Sequence, residues 1–290
     1  MNQQSVPRVT HTSINDRQQL VRSHEENNQR ELARVPLGRL IGISLGPGDP
    51  DLITRAAEKT MNSNARWTWP VKKTGDASFA LEIARRAGFS PPQDGIPLIF
   101  PMTRDAAVLA AAWGVAAETV LQSLQAGRDV LFLCEGDVST YSTFGCLSRN
   151  VTKRNAEVQV AVIPGVSSPQ ACAARLGIPL AEQDDTLAFL PAGYGVEMVT
   201  QLLDVFDRLV LMKVNPVLDQ VIDLLDLRGL LAHARFVERV GTPEERVVTD
   251  VASLKGQRVN YLSLLLVHNP YIQKERVRIN EQQHRQGNLP

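Results

Sequence analysis

GISLGPGDP, residues 42–50, places Gly42, Gly46, Gly48, Pro47 and Pro50 behind a short apolar run and ends on Asp49-Pro50. The run Leu40–Leu45 is strand-like, and Asp51–Met61 is helix-like with Asp49 or Asp51 available as N-cap, so the glycines are expected in a strand-to-helix turn. Their spacing is G-x-x-x-G-x-G rather than G-x-G-x-x-G, and no Lys-Ser or Lys-Thr follows, which disfavours a pyrophosphate site. A loop without side chains at the carboxyl end of a strand lets a flat or bulky ligand approach the backbone. A plain tight turn accounts for the same residues.

Outward from this stretch, strand-sized apolar runs alternate with helix-sized segments, the pattern of an α/β protein. The expected strands are Leu40–Leu45, Val130–Cys134, Val158–Ile163, Thr186–Leu190, Leu209–Val214, Arg235–Val240 and Leu262–Val267. Helices are expected over Asp51–Met61, Ala77–Ala87, Ala116–Gln125, Thr143–Arg154, Pro169–Leu176, Val196–Phe206 and Pro216–Arg228, with Gly127, Gly177 and Gly229 as stops. Residues 1–36 are too polar to offset the entropy of ordering, and residues 273–290 are similarly polar. The texture changes after Ile178-Pro179. This divides the chain into an N-terminal α/β unit over 37–182 and a C-terminal one over 183–272.

Composition narrows the function classes. The 290 residues carry 31 Lys+Arg and 31 Asp+Glu, a balance that argues against nucleic acid or an anionic membrane as partner. No apolar run is read as long enough to span a bilayer, and the N-terminus lacks a signal-peptide segment, so a cytoplasmic location is expected. Three cysteines without C-x-x-C spacing and five scattered histidines predict neither a disulfide framework nor a metal site.

Two further loops follow strands. VLFLCEGDVSTYSTF, residues 130–144, delivers Glu135-Gly136-Asp137 and the hydroxyls Ser139, Thr140, Ser142 and Thr143. These groups suit the edge of a polar ligand, although Asp137 or Ser139 could equally cap the next helix. AVIPGVSSPQACAARLGIPL, residues 161–180, ends its strand in Pro164-Gly165, with Ser168 a natural N-cap and Pro169 a first-turn residue. Three such loops make one common pocket the better expectation.

Taken together, the three loops resemble the tetrapyrrole methylases that use S-adenosylmethionine, in which GPGD, an acidic Gly-Asp loop and IPGVSS occur in this order. The resemblance spans about residues 37–270. It is closest to the members acting on C20 of precorrin-2 or its cobalt complex, through PVKK (70–73), IFPMT (99–103), YSTF (141–144), LMKV (211–214) and YLSLLLV (261–267). It implies two α/β domains with the methyl donor in the cleft between them, a carboxylate-rich tetrapyrrole lying over a trough, and a homodimer. Carried over residue by residue, Pro47, Glu135, Gly136, Asp137, Thr140, Ser167, Ser168, Met212 and Gly241 match donor contacts. Asp137 also matches an acid facing a pyrrole nitrogen, and Asp49 matches the first-loop acid. Lys72, Lys73 and Arg104 are the candidate partners for substrate carboxylates.

Two departures stand out. Gly136-Asp137-Val138 replaces the family's Gly-Asp-Pro, and Ala65-Arg66-Trp67-Thr68-Trp69 replaces an aliphatic strand, offering tryptophans either to the macrocycle or to the core. The readings left open are methylation at another tetrapyrrole position and a carrier that keeps the donor pocket without turnover. A nicotinamide oxidoreductase lacks the glycine spacing it would need.

Overall fold

A computed structural model describes residues 35–272. The expectations for the polar ends at 1–34 and 273–290 lie outside the described residues. Two five-stranded sheets organise the chain. The first has the order β3-β2-β4-β1-β5, built from β1 (Leu40–Ser44), β2 (Arg66–Val71), β3 (Ile96–Ile99), β4 (Val130–Cys134) and β5 (Val160–Ile163). All its pairings are parallel, with Ser44 opposite Cys134 and Ile43 opposite Ile163. The carboxyl ends of all five strands therefore share one edge, and the loops after β4, β1 and β5 are immediate neighbours.

Helices cover both faces: α1 (Arg55–Met61) and α2 (Phe79–Arg86) on one, α3 (Ala106–Gln125) and α4 (Phe144–Arg154) on the other. Strand β1 alternates accordingly, Leu40 facing α3 and α4 while Ile41 and Ile43 face α1 and α2. Gly42 lies within β1, not in the turn. A Cβ there would sit 2.8 Å from the ring of Phe144, so its absence admits the first residue of α4.

The second sheet has the order β6-β7-β10-β8-β9, with β6 (Leu187–Pro191), β7 (Arg208–Met212), β8 (Ala234–Glu238), β9 (Arg246–Val248) and β10 (Ser263–His268). Only β6 and β7 pair in parallel. Helices α6 (Val196–Leu203) and α7 (Leu218–Leu227) pack on one face. The other receives α5 (Ser168–Leu176), whose Ala171, Cys172 and Ala173 touch Val210, Val237 and Leu264. Helix α5 follows the first sheet in sequence yet seats on the second, drawing the two sheets together.

Three strands fall outside the expected set. Strand β2 begins on an arginine and contains Pro70, which lies past Thr68, the last residue paired with β4. Strand β3 is a four-residue edge, where Pro97 is tolerated. Strand β9 has three residues. Helix α3 begins ten residues before the expected start, at an N-cap where Asp105 accepts from Ala107 and Val108. At its full length it is long and apolar enough to cross a membrane by length and composition, a correction to the sequence reading. Its second half packs Ala116, Ala117, Val120, Leu121 and Leu124 into the core. Trp67 is buried against α1 and α2, and Trp69 fills space over Gly95, so both serve the core rather than a ligand.

Candidate functional site

Three loops meet at the carboxyl edge of β4, β1 and β5. Gly46 and Gly136 form a two-hydrogen-bond bridge, the Gly46 amide donating to the Gly136 carbonyl at 3.2 Å and the Gly136 amide to the Gly46 carbonyl at 2.7 Å. Both glycines hold positive φ, +75° and +68°, which this back-to-back turn requires. The third loop closes from the other side. A Cβ on Gly165 would lie 2.4 Å from the Cβ of Ser44 and 3.2 Å from the Gly136 carbonyl.

Asp137 joins all three. Its Oδ1 accepts from the Ser139 amide at 2.9 Å and from the Ser139 hydroxyl, while Oδ2 accepts from the Gly165 amide at 2.9 Å and lies 3.4 Å from the Ser44 hydroxyl. Burial alone would push this carboxyl up, but the hydrogen bonds from Ser139, Gly165 and Ser44 outweigh it and hold the group below its ordinary range. Asp137 therefore does not cap α4, whose N-cap is Thr143. Its acceptor sites point into the loops.

Ser44, at the end of β1 and fully buried, is absent from the residues the sequence singled out. Its hydroxyl donates to the Ile163 carbonyl at 2.7 Å and accepts from the Val138 amide at 2.9 Å. Proline at position 138 would have no such amide to donate. Arg86, likewise missed, reaches from the last turn of α2 to donate to the Gly48 carbonyl at 2.9 Å. The only sequence signal for Ser44 is a hydroxyl closing an otherwise apolar strand, and Arg86 gives none.

The second sheet supplies the facing wall. The residues after β8 form a turn against the first loop: a Cβ on Gly241 would lie 2.6 Å from the Asp49 amide, and one on Gly48 2.7 Å from the Val240 carbonyl. Glu245 steadies this turn, accepting from the Gly241 amide at 2.8 Å and pairing with Arg175 of α5. Tyr141, with φ +52°, spans from the second loop to donate to the Phe189 carbonyl of β6 at 2.9 Å.

The remaining expected residues are placed as follows. Pro47 and Ser167 are buried, Glu135 is exposed, and Gly136, Thr140, Ser168 and Met212 are partly exposed. Ser167, rather than Ser168, is the N-cap of α5, and its hydroxyl donates to Gln170. Met212 ends β7 and packs on the face that receives α5. Asp49 accepts from the Asp51 amide at 2.9 Å at the head of a one-turn 3-10 helix, Pro50–Leu52, so the expected continuous helix begins only after Thr54. Lys72, Lys73 and Arg104 are exposed in the loops after β2 and β3, on the same sheet edge. Among the described residues no group of three or more His, Cys, Asp or Glu is placed to hold a metal ion.

The chemistry of this edge is that of backbone turns packed together: glycines where a side chain would collide, a few hydroxyls and carboxylates, and cations farther along. The family model of the tetrapyrrole (corrin/porphyrin) methylases matches residues 39–255. The chain is 30% identical over 246 residues to a precorrin-2 C(20)-methyltransferase of Sinorhizobium sp, covering 81% of this chain and 97% of the relative. It is 31% identical over 236 residues to a cobalt-precorrin-2 C(20)-methyltransferase of Salmonella typhimurium, covering 81% and 98%. In fold it is similar to a uroporphyrin-III C-methyl transferase from Thermus thermophilus solved with S-adenyl homocysteine, at TM-score 0.56 and 22% identity over 80% of this chain and 98% of that one. A match across nearly every described element, together with the three convergent loops, places the chain in the tetrapyrrole (corrin/porphyrin) methylases.

Proposed function

We propose that the protein is an S-adenosylmethionine-dependent methyltransferase acting on C20 of precorrin-2 or of its cobalt complex, in cobalamin biosynthesis. The observation that carries this reading is the closure of the 46–48, 135–137 and 164–168 loops on one another, opposite the 240–242 turn. A nucleoside-bearing donor fits such a site. The backbone is bare at Gly136, where nothing lies within 4 Å of a Cβ position, while Thr140 and Ser168 offer hydroxyls and Glu135 a carboxylate. When bound, the donor supplies an electrophilic methyl on a sulfonium centre.

The demands on the protein are then mainly geometric. Holding methyl and nucleophilic carbon in line contributes several kcal/mol, on the order of 7–11 at best, without strong acid–base groups. In this reading Pro47, Glu135, Gly136, Thr140, Ser167, Ser168, Met212 and Gly241 form the donor side. Asp49, at the mouth of the first loop, is the carboxylate available to the macrocycle, where it stabilises positive charge developing in the ring. Lys72, Lys73 and Arg104 pair with the macrocycle's carboxylates; their place on the strand-end edge supports this.

The reading includes a cytoplasmic homodimer, with the first half of α3 as the surface that supports self-association: Val108 and Val115, one heptad apart, are 47% and 70% exposed.

Purified protein given methyl-labelled donor and either metal-free or cobalt-containing precorrin-2 is expected to place the label on C20. Donor binding without transfer would favour a carrier, and label at another carbon would favour a different member of the family. The triple variant Lys72→Gln, Lys73→Gln, Arg104→Gln is expected to raise KM for the tetrapyrrole while leaving donor affinity intact.

A further inference from the structure

We infer that Asp137 and Ser44 work as a positioning pair, fixing the spacing of the three loops; this rests on the functional reading above. A carboxylate offers about four lone-pair sites. Around Asp137 three are matched to donors within the loops, the amide and hydroxyl of Ser139 on Oδ1 and the Gly165 amide on Oδ2, while the Ser44 oxygen, its proton given to Ile163, packs 3.4 Å from Oδ2. Three of the carboxylate's four acceptor sites are thus committed to holding the loops together.

Ser44 completes the staple from below. It stands on β1, between β4 and β5, and its single hydroxyl connects to both neighbours, accepting from Val138 after β4 and donating to Ile163 at the end of β5. Removing that hydroxyl strands a buried amide and weakens the hold on a partly buried carbonyl at the point where the loops diverge. A Cβ on Gly165 would sit 2.4 Å from the Ser44 Cβ, so the third loop already packs closely on the end of β1. Asp137 and Ser44 thus act through the Gly46, Gly136 and Gly165 backbone.

The test is calorimetric titration of S-adenosylhomocysteine into wild type, Asp137→Asn, Ser44→Ala and the double variant, with steady-state kinetics beside it. Asparagine keeps the shape but points an amide N–H₂ at either the Ser139 or the Gly165 donor. Both single variants are expected to weaken binding roughly tenfold, equivalent to about 1.4 kcal/mol. The double variant should be weakened by much less than the product, because the two residues serve one staple. The loss should fall on KM for the donor, and the pH profile of kcat should keep its wild-type shape.

Wild-type affinity in Asp137→Asn with a collapsed kcat, or wild-type affinity in Ser44→Ala, overturns the inference. A melting curve on each variant identifies misfolding. Should either fail to fold, Ser139→Ala, which removes one of the three donors, carries the test: a two- to fivefold weaker affinity is expected, and unchanged affinity overturns the pair. If wild type itself does not bind S-adenosylhomocysteine, it is the donor assignment that fails, an outcome distinct from equal binding by all variants.

Discussion

Replacing Gly241 by alanine probes the joint between the two halves of the site. The residue holds φ +76°, and a Cβ there would fall 2.6 Å from the Asp49 amide and 3.1 Å from the Asp49 Cβ. The left-handed backbone alone costs a side chain about 1–2 kcal/mol. Forcing a carbon into backbone at that distance adds about 1–3 kcal/mol, as in overpacked cores. Gly229, just beyond α7, separates the two effects, since it has φ +66° and nothing within 4 Å of a Cβ.

Gly229→Ala should therefore lose about 1–2 kcal/mol in urea unfolding, and Gly241→Ala about 2–5 kcal/mol. If the first loop instead retreats to relieve the clash, the same strain reappears in the proposed donor site. The affinity for S-adenosylhomocysteine would then drop by roughly 5- to 150-fold, the equivalent of about 1–3 kcal/mol. Unfolding curves and titration calorimetry on the two variants read both arms. Equal stability losses together with unchanged donor affinity in Gly241→Ala would refute the packing of the 240–242 turn on Asp49.

Arg86→Gln removes the guanidinium that holds the Gly48 carbonyl, and is expected to cost about 0.5–1.5 kcal/mol, read as a two- to tenfold weaker donor affinity by titration. The Asp137 carboxyl titrates below its ordinary range in the folded chain, so its contribution is fully present above about pH 4 and is lost as pH falls through the folded value. The stability gap between wild type and Asp137→Asn, measured by urea midpoints, should accordingly narrow below about pH 4; a gap constant with pH would contradict this. Burial pushes the Cys134 and Cys172 thiols up to about 12, whereas Cys146 is partly exposed beside the Arg149 guanidinium. A thiol reagent at about pH 8 should label Cys146 alone in the native protein and all three cysteines after unfolding.

Much of the fold was legible because the chain states it locally. Buried parallel strands such as VLFLC and LIGIS are apolar throughout, and helix stops such as Gly177 and Gly229 fall where the turns end. What escaped was set by partners distant in sequence. RWTWPV forms a strand because β3 and β4 pair with it and because Trp67 finds a cavity against α1 and α2, neither of which its own composition announces. The first half of α3, AAVLAAAWGV, has no polar face to mark a helical period, so the helix was read only from Ala116 onward. Within the site, the Gly-Asp motifs were visible, but the role of Asp137 depends on Gly165 and Ser44, 28 and 93 positions away. The replacement of proline by Val138 was visible as well. That its amide is received by Ser44 was not.

These distances explain why the site needs parallel strands. Loops after β4, β1 and β5 come from separate parts of the chain and would each be free to move; a carboxylate facing inward and a hydroxyl beneath it convert them into one body. The facing wall is fixed differently, by steric contact of Gly48 with the Val240 carbonyl and of Gly241 with Asp49, without a strong polar tie between the two glycine turns. Contact of that kind resists approach but not separation. Tyr141, the seating of α5 on the second sheet and the Arg175–Glu245 pair supply the attractive part. The three-loop cluster is thus stapled within one half, while the gap to the other is held by Tyr141, the apolar face of α5 and the Arg175–Glu245 pair. Loosening Tyr141 should widen that gap and spare the staple, whereas loosening Ser44 should do the reverse.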